Sequence, residues 1–239
     1  AQGRAVERQG AFTPKLETRA PLAGSDVTLA MDIRTQLAAQ AALADRRGAV
    51  VAIDPANGDV LAFASTPGFD PNRFAKGLTA REFNELATNI DRPLFDRALR
   101  GTYPPGSTVK PLVALAALET PGFDPNERHF CQGFFTLPGS SHRYRDWKKE
   151  GHGSVDMHEA ITESCDVYFY HAASAVGIDK LAQMLTRFGM GQLTGIDVGG
   201  EKPGLVPSPE WKRRAFPRGE GQTWFPGETV IVEGINKVR

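Results

Sequence analysis

Four residues in two short runs carry side chains that could act on one another. They are Ser107 and Lys110 in Tyr103-Pro104-Pro105-Gly106-Ser107-Thr108-Val109-Lys110-Pro111, and Ser164 and Asp166 in Glu163-Ser164-Cys165-Asp166. A serine is a weak nucleophile until a neighbouring base takes its proton, and a lysine is that base only where burial or nearby cations disfavour its charged form. Pro-Pro-Gly before the serine and an alanine- and leucine-rich run after it place Ser107 where a helix begins, and Pro111 suits a first turn. A spacing of three puts the hydroxyl and the amine on one face of that turn, close enough for a proton to pass. The positive end of the helix dipole there favours an alkoxide or a developing oxyanion. About one Ser-x-x-Lys arises by chance in a chain this long, and both serines also suit ordinary helix caps, so the two runs take their meaning from context.

A second set of side chains could hold a metal. The two cysteines, Cys131 and Cys165, permit one disulfide, two free thiols or a shared metal. With Asp146 and His152 they offer two thiolates, an imidazole and a carboxylate, a donor set for a closed tetrahedral zinc site of structural kind. Such a site would tie the stretch from Pro121 to Gly153 to the helix carrying Ser164. The spacing matches no short zinc motif. His129, His142, His158 and His171 read as loop or helix-surface residues.

Several elements must position these groups. Val27–Met31 reads as a strand and Ile33–Ala44 as a helix. Gly48–Ile53 and Val60–Ser65 form a hairpin around the turn-rich Asp54-Pro55-Ala56-Asn57-Gly58-Asp59. A short helix is predicted at Thr79–Ala87 within an otherwise loop-rich stretch. The helix from Ser107 to Leu118 lacks a polar face, which predicts deep burial. Pro121 to Gly153 reads as loop, Met157–Ala175 as a helix that opens before Ser164, and Asp179–Phe188 as another. A Gly- and Pro-rich stretch then runs to about Gly227. The fold expected is α+β, an antiparallel sheet flanked by helices.

At 239 residues one large domain is the natural reading, residues 25–239, with 1–24 as a linker or the edge of an N-terminal non-catalytic domain. The 28 basic and 28 acidic residues balance, so bulk charge points to no nucleic-acid partner. No apolar run approaches the ~20 residues that span a bilayer, and no signal-peptide pattern opens the sequence. An anchor, if the native protein has one, is expected to lie outside it.

Together and in this order, the two serine runs resemble those of the penicillin-binding transpeptidases, acyl-serine enzymes of serine β-lactamase-like fold that cross-link peptidoglycan. The resemblance narrows to the class B elongation group, penicillin-binding protein 2. It is carried by Tyr103 to Pro111, by Glu163-Ser164-Cys165-Asp166-Val167-Tyr168-Phe169-Tyr170, by Phe188-Gly189-Met190-Gly191 with Thr194-Gly195-Ile196-Asp197, and by the hairpin. It implies that Ser107 attacks the penultimate D-alanine carbonyl of a stem peptide while Lys110 takes its proton. Ser164 would relay protons to the leaving group, and Asp166, where many relatives have asparagine, would orient Lys110 or the substrate amide. β-Lactams would acylate the same serine. Partners implied are stem peptides, a membrane glycan polymerase and elongation-complex proteins, with this domain in the periplasm and the enzyme in the inner membrane. Some members of the group hold a metal beside the active site, with an aspartate where Cys131 stands here. A serine β-lactamase or β-lactam sensor of the same fold is the alternative, although no deacylating base is evident around Ser107 or Ser164. A non-catalytic scaffold for a glycan polymerase is a third reading.

The family's third motif, Lys-Thr-Gly on a strand, is absent from the sequence. The likeness stops after Gly227-Glu228-Thr229-Val230-Ile231-Val232, and Ala11 to Thr18 also looks out of place. The expectation is a truncated domain, inactive if this is the whole molecule.

Overall fold

A computed structural model describes residues 24–216. Most of the expected linker, the stretch from Ala11 to Thr18 and the run Gly227–Val232 therefore lie outside the described residues.

Helix α1 (Ile33–Leu43) starts where the Asp32 carboxylate accepts the Thr35 N–H at 2.9 Å. It lies on the hairpin of β1 (Gly48–Ile53) and β2 (Val60–Thr66), which pair antiparallel as expected. Gln36 fastens helix to sheet, its amide donating to Phe63 O at 3.1 Å and accepting the Phe63 N–H at 2.7 Å. Ala39, Leu43, Ala62 and Ala64 form a small core between them. Val27–Met31 is not a strand. Its Val27 and Leu29 are exposed, so it lacks the half-buried face that would reward its alternation.

The stretch after the hairpin holds more helix than its sequence predicts. α2 (Pro71–Lys76) and α4 (Arg97–Arg100) accompany the expected α3 (Ala80–Ala87), which begins in a Thr79/Glu82 capping box. Asp70 and Asp96 cap the two short helices through their own side chains, and both are too brief to show periodicity. The Arg97 N–H donates to Ser65 Oγ at 2.9 Å, joining α4 to the hairpin.

The larger core is helical. After a 3₁₀ turn at Gly106–Val109 comes α5 (Lys110–Leu118), packed against α7 (Asp166–Val176) and α8 (Ile178–Arg187). Tyr168, Phe169 and Leu181 are fully buried there. The all-round apolar α5 is less deeply buried than expected: Val113, Ala114, Ala116 and Ala117 are inside, but Leu115 and Leu118 are 40% and 51% exposed.

Pro121 to Gly153 is not simply loop. It holds β3 (His129–Cys131), β4 (Phe134–Phe135) and β5 (Tyr144–Arg145), and β6 (Gly153–Val155) closes it. β3 pairs with β6 and β4 with β5, so among the described residues the sheets are three two-stranded antiparallel ladders. His129 and His171 are half-buried and not simply surface residues: their rings stack at 4.6 Å, and His171 also meets Phe135 edge-on. The expected opening before Ser164 separates α6 (Met157–Thr162) from α7. α9 (Pro209–Ala215), capped by Ser208, lies in the Gly- and Pro-rich stretch where no helix is predicted. The whole is an α+β arrangement.

Candidate active site and metal cluster

Ser164 owes its place to the way α6 ends. The Ser164 N–H donates to Ile161 O at 3.3 Å and the Cys165 N–H to Ala160 O at 2.9 Å, the paired bonds of a Schellman terminus. The residue between such bonds takes left-handed backbone angles and is usually glycine. Here it is a serine, at φ 53°. The turn stops the helix and carries the side chain to the end of α5.

There the Ser164 hydroxyl stands between two groups. Its Oγ lies 3.0 Å from Ser107 Oγ, to which it donates, and 3.1 Å from Lys110 Nζ, from which it accepts. Gly106, at φ 57°, turns the chain into the 3₁₀ segment bearing Ser107, which is exposed. Lys110, the first residue of α5, is only 3% exposed. Sequence spacing places serine and lysine on one turn, and the structure adds that Ser164 bridges them. Lys110 Nζ also donates to Ser164 O at 2.8 Å and to Asp166 Oδ1 at 2.6 Å, and it lies 5.5 Å from the Phe169 ring centroid. The buried amine is thus ringed by three oxygen acceptors, which satisfy its donors away from water.

Asp166, the first residue of α7, is held at its other oxygen. Oδ2 accepts the Trp147 backbone N–H at 3.0 Å. Trp147 is the residue sequence reasoning missed. Its indole N–H reaches Glu163 O and Ser164 O, both at 3.1 Å. The available signal was an aromatic directly after a candidate metal ligand.

The second predicted set is also brought together. One donor atom from each of Cys131, Asp146, His152 and Cys165 lies within 4.8 Å of the others, and both thiols are free and buried. Asp146 Oδ2 accepts from Cys131 Sγ at 3.4 Å, Cys165 Sγ at 3.5 Å and the Val167 N–H at 3.1 Å. Burial pushes the Asp146 carboxyl up, but the N–H groups of Lys148 and Val167 and the Cys131 thiol outweigh it, and its pKa falls below the ordinary value. Burial pushes the Cys165 thiol up, with Cys131 and Asp146 adding to the effect. His152 Nδ1 lies 3.5 Å from Asp146 Oδ1 and 3.6 Å from Cys131 Sγ, while its buried Nε2 has no hydrogen-bond partner. Two glycines allow the loops to close: a Cβ at Gly151 would sit 2.1 Å from Cys131 O, and one at Gly133 2.1 Å from Lys149 O. Two thiols, an imidazole and a carboxylate converging in a buried pocket fit a tetrahedral cation of zinc's preferences.

The sequence pattern described as the penicillin binding protein transpeptidase domain matches residues 48–224, which include both serine runs. Peptidoglycan D,D-transpeptidase MrdA of Acinetobacter baumannii is 47% identical over 212 residues, which are 89% of this chain and 31% of that one. The crystal structure of Pseudomonas aeruginosa PBP2 in complex with WCK 5153 superposes with a TM-score of 0.82 at 49% identity, covering 91% of this chain and 46% of that one. PBP2 of Helicobacter pylori in its complex with MreC superposes at 0.78 with 35% identity, over 85% and 37%. The chain spans about a third of the length of the curated relatives it matches, 31% in A. baumannii and 35% in Escherichia coli K12. With the sequence pattern spanning residues 48–224 and the fold matching solved penicillin-binding proteins, the chain belongs to the penicillin-binding protein transpeptidase domain family.

Proposed function

We propose that this chain is part of a peptidoglycan D,D-transpeptidase in which Ser107 is the acyl-acceptor. The observation that carries the reading is the Ser164 hydroxyl, which stands 3.0 Å from Ser107 Oγ and 3.1 Å from the nitrogen of a buried lysine. That contact makes a continuous proton path. In its neutral form Lys110 takes the Ser107 proton through Ser164 as Ser107 Oγ bonds to the penultimate D-alanine carbonyl carbon. When the amide bond to the terminal D-alanine breaks, the proton returns by the same path to the departing amine. An amine of a neighbouring stem peptide then attacks the ester carbonyl, its proton passes to the same base, and as the acyl–Oγ bond breaks that proton returns to Ser107 Oγ, restoring the hydroxyl and the neutral lysine. Asp166 orients Lys110 and acts on the substrate through it. A β-lactam enters at the first step, and its ring opens onto Ser107.

Zinc in the Cys131/Asp146/His152/Cys165 cluster is part of this reading, and its work there is structural. When bound it would supply a charge that keeps both thiols deprotonated and fixes the loops around them. The convergence of the four donors supports it: His152 Nδ1 lies within 3.6 Å of both Cys131 Sγ and Asp146 Oδ1, and Asp146 Oδ2 meets both thiols. By kinship with the H. pylori relative, an MreC-like elongation protein is the expected partner, and a glycan polymerase is the second partner of this reading. The expected place of work is the periplasmic face of the inner membrane. Among the described residues no helix is long and apolar enough to cross a membrane.

The test is intact mass after incubation of the native-length protein with benzylpenicillin, with the adduct mapped by peptide. One adduct on the peptide containing Ser107, abolished in Ser107→Ala, is expected. A stable adduct elsewhere, or rapid turnover of nitrocefin without a stable adduct, would overturn the assignment.

A further inference from the structure

Trp147 is an exposed indole in an unusual position. It is 62% exposed, yet its polar atoms face inward at the point where α6 gives way to α7. The last carbonyls of a helix have no partner within it and need one from outside. At the end of α6 that partner is the indole N–H, shared between Glu163 O and Ser164 O at 3.1 Å each. The same residue's backbone N–H holds Asp166 Oδ2 at 3.0 Å. Its ring meets the His152 ring edge-on at 5.4 Å between centroids. Trp147 thus touches both sides of the Ser164 turn and the wall of the metal cluster.

The Ser164 turn needs such a hold. A serine at φ 53° occupies a region that side chains disfavour, and its hydroxyl must meet Ser107 and Lys110 together. Rotation of the Glu163–Ser164 peptide would swing Oγ away from both. The Ser164 carbonyl is fixed from one side by Lys110 Nζ at 2.8 Å and from the other by the indole.

We propose that Trp147 is a positioning residue, whose indole N–H clamps the Ser164 turn so that the Ser164 hydroxyl bridges Ser107 and Lys110. This rests on Ser164 carrying protons to and from Ser107, as set out above. The clamp acts on the chemical step and leaves the binding of the acyl donor alone.

Two replacements at one position separate the N–H from the ring. Trp147→Phe keeps an aromatic ring against His152 and the backbone N–H to Asp166. Benzothienylalanine, introduced site-specifically, keeps the full bicyclic shape and puts sulfur where the N–H was. The native-length protein and both variants are acylated with a fluorescent penicillin, and the acylation rate constant and the dissociation constant of the prior complex are read separately. Loss of one neutral hydrogen bond predicts a rate constant lower by about three- to tenfold in both variants, with the dissociation constant within about twofold. Recovery of the full rate with benzothienylalanine would overturn the proposal, because ring volume would then suffice. A weaker complex at an unchanged rate constant would overturn it too, since the indole would then be a platform for substrate. A measurement that needs no acylation keeps the two readings distinguishable. In the unmodified protein the Trp147 indole proton, assigned by its disappearance in Trp147→Phe, exchanges with solvent at least tenfold more slowly than that of free tryptophan. If Ser107 is not acylated, the transpeptidase reading fails and this exchange rate decides the clamp: exchange as fast as free tryptophan overturns it, and slow exchange sustains it.

Discussion

Replacing Ser164 by alanine and, separately, by glycine divides what its backbone costs from what its hydroxyl does. Both variants lose Oγ and with it the bridge between Ser107 and Lys110. They differ in the backbone. Alanine keeps a Cβ at φ 53°, where an L-residue is disfavoured by about 1–2 kcal/mol. Glycine escapes that cost but gives up about 0.5–1 kcal/mol more chain entropy on folding. The difference favours glycine by roughly 0.5–1 kcal/mol, a rise in Tm of about 1–4 °C for a domain of this size. Urea unfolding of the two variants side by side reads it directly, because both have lost the same hydrogen bonds. Acylation should fall in both by at least about 100-fold, the usual scale for losing a proton-transfer group. An alanine variant as stable as the glycine variant, or more so, would refute the argument that Ser164 sits in a strained Schellman position. Acylation restored in either variant would refute the relay.

Asp166→Asn should retain measurable acylation, slower by no more than about 100-fold, and cost about 1.5–3 kcal/mol of stability through loss of a charge-assisted bond to buried Lys110; complete loss of acylation in a folded variant would count against a purely orienting role. Protein purified without chelator should carry one zinc per chain by elemental analysis, and stripping it should lower Tm by about 8–16 °C, as for a ligand present at 1,000 times its dissociation constant; substoichiometric metal with an unchanged Tm would remove zinc from the account. Burial, and then the neighbouring His129, hold the pKa of His171 below its ordinary 6.5, with Glu127 opposing. The unfolded chain therefore takes up this proton first as pH falls, so the stability His171 contributes is intact above 6.5 and is lost on acidification through its folded pKa, at up to about 1.4 kcal/mol per pH unit. His171→Phe should flatten that slope in pH-dependent urea unfolding, and an unchanged slope would show that the stack does not resist protonation.

Much of the site was legible because its chemistry lies in short runs. Ser107 with Lys110, and Ser164 with Asp166, are each confined to one turn, and turns can be read from Pro, Gly and helix periodicity. The four cluster residues could be named from their donor types alone, although nothing local draws Cys131 toward Cys165. What stayed hidden were relations between runs. The bridging role of Ser164 depends on a left-handed serine, and sequence offers a serine there without its backbone angle. Trp147 is silent for the same reason, since its partners, the carbonyls of Glu163 and Ser164, are backbone atoms. The hairpin was readable from the turn-rich run between its strands. Val27–Met31 alternates, but a strand needs a partner edge and a covered face, and neither is a property of five residues. The short ladders from β3 to β6 fail the other way, being too brief to alternate and held by pairing between distant residues, such as His129 with Val155 and Phe134 with Arg145.

The cluster and the serines are one piece of architecture, because residues 146–147 and 164–167 serve both. Asp146 accepts the thiol of Cys165 and the N–H of Val167, which bracket Asp166, while Trp147 reaches Ser164 and Asp166 from the other side. A turn that keeps a disfavoured backbone angle must be over-determined by its surroundings. Here α6 supplies two hydrogen bonds from below, Lys110 and the indole grip one carbonyl, and the buried cluster pins the first turn of α7. Loosening the cluster should therefore slow acylation before it unfolds the domain. A Cys131→Ser variant should unfold at a lower urea midpoint and, in urea-free buffer where it is still folded, acylate several-fold more slowly than the wild type. An equal rate in the folded variant would show that the two sites, though adjoining, are held independently.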